Sequence, residues 1–241
     1  MSALVVSIGT THPLNAAGLG RDARVAAEYE VAHAMAVAAV SAQDEHGVRA
    51  LFPIPDAVVR AQLGAIDVAA AAAVRVGALG NAGNAALAAA FLEHVTAPVI
   101  FDPVMGSSAG GSLYAGDAMQ AVRLFLERVR TIVTPNVDEA QRLTGIEIAS
   151  VDDAIAAGKR FVSAGARAAL VKGGHLSGDP IDVLVTLEGV ETFAGTRLAQ
   201  KMRGTGCTLA MALSCELALG RDLVTAVKGA RAYVRANMAR S

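Results

Sequence analysis

Short apolar runs, each followed by a longer stretch with helical spacing, repeat along almost the whole chain. The runs at 3–9, 72–77, 98–102, 131–134 and 168–172 read as strands. Segments 22–33, 55–70, 83–95, 115–129, 137–143, 151–164, 206–219 and 223–238 read as helices. Local punctuation agrees: Pro55 opens one helix, Gly145 closes another, and Ser150 with Asp153 forms a capping box. Residues 34–43 fit either a buried strand or a helix end. Residues 182–187 and 190–193 flank Glu188-Gly189, a hairpin signal. Strands separated by helical segments imply a mostly parallel sheet covered on both faces. The expected fold is α/β, a three-layer sandwich with a central, mostly parallel sheet. No linker, repeat or low-complexity tract divides the chain, so 1–241 reads as a single domain.

Composition excludes several alternatives. With 54% hydrophobic and 18% charged residues, the chain is not a disordered, charge-rich protein. Its 241 residues should bury roughly 70–75% of the unfolded surface. Twenty-one basic against 22 acidic side chains leave a formal charge of −1, which gives no electrostatic footing for nucleic acid. Cys207 and Cys215 are a poor disulfide framework and no zinc pattern exists, so a reducing, cytoplasmic setting is expected. Met1 to Gly9 reads as a first strand, lacking the basic and long apolar regions of a signal peptide. The apolar stretch at 65–90 is broken by Asp67, Arg75, Gly77, Gly80, Asn81 and Asn84, too often to span a bilayer.

In sheets of this kind ligands bind beyond the carboxyl ends of strands, so residues just after strands carry the functional signal. Arg203-Gly204-Thr205-Gly206-Cys207 opens a helix. Glycines let backbone N–H groups approach an anion, and the helix start adds partial positive charge. Cys207 falls in the first turn, where a thiolate is stabilised. The same pattern also fits a plain glycine turn with a small buried residue. Val171-Lys172-Gly173-Gly174-His175 puts a lysine at a strand end, able to reach a phosphate or to remain solvated. His175 reads as a loop residue, because no second histidine sits at ligand spacing. In Thr134-Pro135-Asn136-Val137-Asp138-Glu139, Asn136 and Glu139 either form a capping box or stand near magnesium. Asp102 ends a strand and is the other carboxylate candidate. No P-loop, dinucleotide fingerprint or Gly-x-Ser-x-Gly elbow is present, so a kinase of another construction fits best.

Taken in order, Ser41-Ala42-Gln43-Asp44, Pro53-Ile54-Pro55, Asp102-Pro103-Val104-Met105, Val133 to Ala140, Val171 to His175 and Gly204 to Cys207 resemble the hydroxymethylpyrimidine/phosphomethylpyrimidine kinases. These belong to the ribokinase-like clan, with pyridoxal kinase. The resemblance runs from about residue 3 to 238. It implies ATP- and Mg2+-dependent phosphorylation of the aminopyrimidine precursor of thiamine, or of its monophosphate. It further implies that Gly204, Thr205 and Gly206 stabilise the transferred phosphoryl group. Cys207 would take the substrate proton or act on the phosphorylated substrate. Lys172 would hold ATP phosphates, with Asn136 and Thr205 also on the nucleotide side and Asp102 and Glu139 near magnesium. Gln43 and Asp22 match positions that hydrogen-bond the pyrimidine, and Thr10, Ala17 and Ala78 border its pocket. Relatives are often dimers, so a homodimer is expected.

The substrate half departs from the family pattern. The usual Gly-Ser/Thr-Asp-Pro-Ser-Gly-Gly-Ala-Gly is Thr10 to Gly18 here, with His12 for the aspartate and Thr10, Asn15 and Ala16 for glycines. Ala78 replaces a methionine. Ser107-Ser108-Ala109-Gly110 lacks the usual lysine, and Arg203 replaces a histidine. A shifted substrate preference follows, since specificity resides in pocket contacts while the transfer machinery is shared. The changes would favour the monophosphate, with Arg203 either holding the extra phosphate or solvated. Two alternatives stay open: a pyridoxal or pyridoxine kinase, and a silent relative that binds a ligand as a signal.

Overall fold

The computed structural model describes residues 2–107, 109–175, 178–200 and 202–240. Met1 and Ser108 lie outside them, as does the side chain of His175. The elements are β1 (Leu4–Thr11), α1 (Gly18–Glu28), β2 (Ala32–Asp44), β3 (Gly47–Pro53), α2 (Asp56–Gly64), β4 (Ala73–Val76), α3 (Ala82–Leu92), β5 (Val99–Phe101), α4 (Ala118–Arg128), β6 (Thr131–Val133), α5 (Val137–Thr144), α6 (Val151–Ser163), β7 (Ala168–Val171), β8 (Ile181–Val185), β9 (Val190–Ala194), α7 (Thr205–Ala218) and α8 (Leu223–Ala239). They form one nine-stranded sheet in the order β3-β2-β1-β4-β5-β6-β7-β8-β9. Strands β2, β1, β4, β5, β6 and β7 are parallel. Antiparallel β3 closes one edge, and the β8–β9 hairpin closes the other.

The side-chain alternation of each strand builds two cores. Val6, Val74, Phe101, Val133 and Val171 face one side, against α2 to α6. Their neighbours Val5, Ala73, Ile100, Ile132 and Leu170 face the other, against α1, α7 and α8. The central strands are therefore largely apolar on both faces, as a parallel sheet between helical layers requires, with Arg75 in β4 the charged exception. Ser150 and Asp153 form their capping box, and Gly145 ends α5 with φ 74.

The differences from the sequence reading lie at one end of the sheet. The first helix ends at Glu28, and His33 is already in β2. Leu4 to Thr11 pairs along Ala32 to Val40, and this long pairing settles the ambiguous 34–43 segment as strand. The helix expected over 55–70 stops at Gly64, leaving a 3-10 turn at Val68–Ala70. Strand β3 was not expected. Its sequence, Gly-Val-Arg-Ala-Leu-Phe-Pro, lacks the alternation of a half-buried strand and gains its structure from pairing with β2.

The chain leaves β1 for β2 on one side and later returns to place β4 on the other side of β1. Such a reversal opens a crevice beyond the carboxyl ends of the two strands. The loops after β1, β4, β5, β6 and β7 all open on that edge.

Candidate active site

A cavity of about 1070 Å³ fills this crevice. Thr10, Ala17, Gln43 and Ala78 line it, as do Asp102, Asn136, Glu139, Lys172 and the Gly204–Cys207 turn. The structure thus gathers twelve of the thirteen expected site residues around one space. Asp22 is the exception. It is fully buried behind the cavity, with its carboxylate 3.2 Å from the Arg75 guanidinium. The reason is its place on the inner face of α1, where burial raises its pKa to about 6 despite the opposing charge of Arg75.

The turn before α7 is built for close approach. Gly204 has φ 75, and a Cβ there would overlap the Ala16 carbonyl oxygen. Only glycine combines that left-handed backbone with that contact. Gly206 sits below Lys172 and Asp102: a Cβ on it would meet Lys172 Nζ at 3.2 Å and an Asp102 oxygen at 3.5 Å. The opening of the helix therefore presents N–H groups to a space bounded by a cation.

Lys172 follows β7 and donates from Nζ to Asp102 Oδ1 at 3.1 Å. Burial pulls its pKa down, but Asp102 and Glu139 outweigh this, so it stays a cation. Asp102 follows β5 and lies between Lys172 and Arg75, whose Nη2 is 3.6 Å from Oδ2. Asn136 and Glu139 make the complete capping box: Glu139 N–H donates to Asn136 Oδ1, and Asn136 N–H donates to Glu139 Oε2, both at 2.8 Å. The structural reading of this pair holds, and both residues also reach the cavity.

Cys207 corrects one expectation. It does lie in the first turn of α7, but its thiol pKa is raised, not lowered. Burial outweighs the pull of Arg75, and Asp102 and Asp22 push in the same direction as burial. The Gly18 N–H donates to its sulfur at 3.4 Å. Cys207 and Cys215 are both free thiols.

The altered first loop packs on this turn. His12, 4% exposed, accepts the Ala17 N–H at Nε2 over 3.1 Å. An aspartate could accept the same N–H, so the replacement keeps the acceptor and changes its titration. Burial and the nearby Arg203 lower the pKa of His12. Thr10 spends its hydroxyl on the Ala78 carbonyl at 2.9 Å. Gln43 donates to Ser41 Oγ at 3.1 Å.

Arg75 is the residue sequence reasoning missed. Its signal is faint: a single charge inside the apolar strand Ala-Val-Arg-Val. At the far end of the cavity, Arg231 pairs with Asp182 at 2.7 Å, and Arg197 binds the Gly174 and Gly178 carbonyls.

A glycine turn at a helix start, a lysine opposite it and a carboxylate, gathered on one edge of a three-layer α/β sheet, give the chain the architecture of the ribokinase-like small-molecule kinases. The phosphomethylpyrimidine kinase family model matches residues 13–241, and the chain belongs to that family. It is 38% identical to the hydroxymethylpyrimidine/phosphomethylpyrimidine kinase of Streptomyces coelicolor over 205 residues, 84% of this chain and 76% of the relative. Its structure is similar to a phosphomethylpyrimidine kinase from Clostridium difficile 630, with a TM-score of 0.83 and 26% identity over 98% of this chain and 99% of that one. It is also similar to an ADP complex of Bacillus subtilis pyridoxal kinase, with a TM-score of 0.86 and 27% identity over 97% and 90%. Among the described residues no helix is long and apolar enough to cross a membrane.

Proposed function

We propose that this protein uses ATP and Mg2+ to phosphorylate 4-amino-5-hydroxymethyl-2-methylpyrimidine, its monophosphate, or both, in thiamine biosynthesis. The observation that carries this reading is the convergence of two halves on one cavity. Lys172, Asp102, Glu139 and the Gly204–Cys207 turn bound one half, and Thr10, Ala17, Gln43 and Ala78 the other. Phosphoryl transfer needs in-line positioning and charge neutralisation more than covalent help, and those are the groups present.

In this mechanism the N–H groups of Gly204, Thr205 and Gly206 receive the charge that builds on the transferred phosphoryl. Lys172 holds the nucleotide phosphates, with Asn136 and Thr205 beside them. Gln43 hydrogen-bonds the ring, and Thr10, Ala17 and Ala78 shape its pocket. Cys207 takes the proton of an alcohol substrate. Asp22, shut off behind Arg75, is left out of the substrate contacts.

Asp102 and Glu139 fit a magnesium ion: both are oxygen donors on the cavity, and Mg2+ needs only one or two carboxylates when phosphates supply the rest. Bound there, the ion neutralises phosphate charge. On the same reading the chain is one kinase domain over 1–241 that works in the cytoplasm. Exposed Phe52 on the edge strand β3 and Val40 beside it on β2 support a homodimer, which light scattering tests.

The deciding experiment is an ADP-release panel with the two pyrimidines, pyridoxal, pyridoxine and ribose. Turnover of either pyrimidine supports the reading, and their ratio reports what the altered first loop does. The likeness to a pyridoxal kinase and the small Ala78 favour one second reading, which turnover of B6 vitamers alone would establish. Ligand binding without any turnover would sink both.

A further inference from the structure

Arg75 is 1% exposed in the middle of the sheet, where an unpaired charge is prohibitive and even a paired one gains little stability. Its surroundings are specialised. Asp22 stands behind it at 3.2 Å, and Asp102 stands in front at 3.6 Å. Cys207 borders the same cavity as Arg75, close enough for its sulfur to interact with the guanidinium charge. Room for the group comes from a glycine: a Cβ on Gly77 would overlap Nη1, and one on Gly9 would touch it at 3.5 Å. Yet Nε and Nη2 of Arg75, and both oxygens of Asp22, lack an aligned hydrogen bond. A side chain selected for stability alone would be apolar or fully satisfied at this position. The cluster instead spends stability to put a fixed cation between two groups that border the cavity.

We propose that Arg75 is a positioning residue for phosphoryl transfer: clamped from behind by Asp22, its guanidinium holds Cys207 and Asp102 in place on the cavity floor. Without it, the charged neighbours of the Cys207 sulfur are dominated by Asp102 and Asp22, and Asp22 loses its ion-pair partner. Lys172 still neutralises Asp102, but from the opposite side and through the other oxygen. The role of Arg75 in turnover rests on the kinase reading above, so its test includes a readout that needs no substrate.

The variants are Arg75→Met, Arg75→Lys and the double variant Asp22→Asn/Arg75→Met. The double variant removes the stranded carboxylate and serves if Arg75→Met does not fold. The readouts are kcat and KM for ATP, and the rate of iodoacetamide alkylation at Cys207, separated from Cys215 by peptide mass spectrometry. Misplacing reacting groups by an ångström costs about 100-fold, so kcat should fall by about that factor while KM for ATP moves less than about threefold. Alkylation at Cys207 should slow at least about tenfold, because the cation beside the thiolate is gone. Arg75→Lys should recover part of both losses. Unchanged alkylation in a folded Arg75→Met or double variant would overturn the role, whatever the substrate. A loss confined to KM, or no rescue by lysine, would overturn it as well. Failure of every substrate with normal wild-type folding would instead defeat the proposed function, leaving the alkylation rates to judge Arg75.

Discussion

Replacing Cys207 with alanine separates the two substrates of the proposed reaction. The hydroxymethyl alcohol must lose a proton when it attacks, whereas a phosphate monoester, with its second pKa near about 6, is already a dianion at neutral pH. Proton acceptance by a placed side chain is worth about 10²–10⁴ in rate, or about 3–5 kcal/mol of barrier. Cys207→Ala should therefore cut kcat on the alcohol by that factor. On the monophosphate it should cost less than about tenfold, the scale of losing the weak Gly18 N–H contact to sulfur. The pH profile supplies a second handle. Burial holds the Cys207 thiol above its ordinary value of 9.0, so near neutrality only a small fraction is thiolate and that fraction grows with pH. The wild-type rate on the alcohol should climb about tenfold per pH unit through the neutral range and beyond, as the thiolate fraction does. The rate on the monophosphate should be flat above about pH 7. ADP release in a coupled assay from pH 6.5 to 9 reads both. Equal losses on the two substrates, or a slope that survives in Cys207→Ala, would refute proton acceptance by the thiol.

Lys172→Met leaves Asp102 with Arg75 alone, and should raise KM for ATP and lower kcat, each by about tenfold or more, in steady-state kinetics. His12 is buried with a lowered pKa, so the unfolded chain binds its proton first as pH falls. Its stabilising contribution is complete above pH 6.5 and lost on acidification below it, and melting curves from pH 7 to 5 should show a shallower decline for His12→Gln. Phe101 is fully buried with its ring 4.6 Å from that of Phe125, and Phe101→Ala should lower unfolding stability by about 3–5 kcal/mol in urea titrations.

Most of the fold was legible because most of its signals are local. Pro55, Gly145 and the Ser150–Asp153 box mark helix ends with groups that only an end requires. The central strands are largely apolar on both faces, so their assignment does not depend on getting the phase right. What escaped depends on pairing partners. Segment 34–43 becomes a strand because β1 lies beside it, and β3 exists because β2 offers an edge. The same division runs through the site. The Gly204–Gly206 turn and the strand-end Lys172 announce themselves in sequence, and they reach the cavity. The pairing of Asp22 with Arg75 does not announce itself, because each takes its structural role from the other across 53 residues of chain (75 minus 22). The resemblance singles out Asp22 only as a ring contact, and a single arginine in an apolar strand reads as noise.

The altered loop and the intact turn are one mechanical unit. The Ala16 carbonyl fills the space that the missing Gly204 side chain leaves, Gly18 donates to the Cys207 sulfur, and His12 fixes Ala17 between them. Changes at Thr10, His12, Asn15 and Ala16 therefore act on more than the ring pocket. They also set where the backbone of 16–18 rests, and hence where the proposed anion hole and the Cys207 thiol stand. Substrate preference and transfer chemistry are usually divisible, because pocket contacts can change while the phosphoryl machinery stays fixed. Here the proposed pocket loop touches the proposed transfer turn through a backbone carbonyl and a backbone N–H. A substitution that reshapes the loop, or one that removes the acceptor His12 offers to Ala17, should move kcat as well as KM.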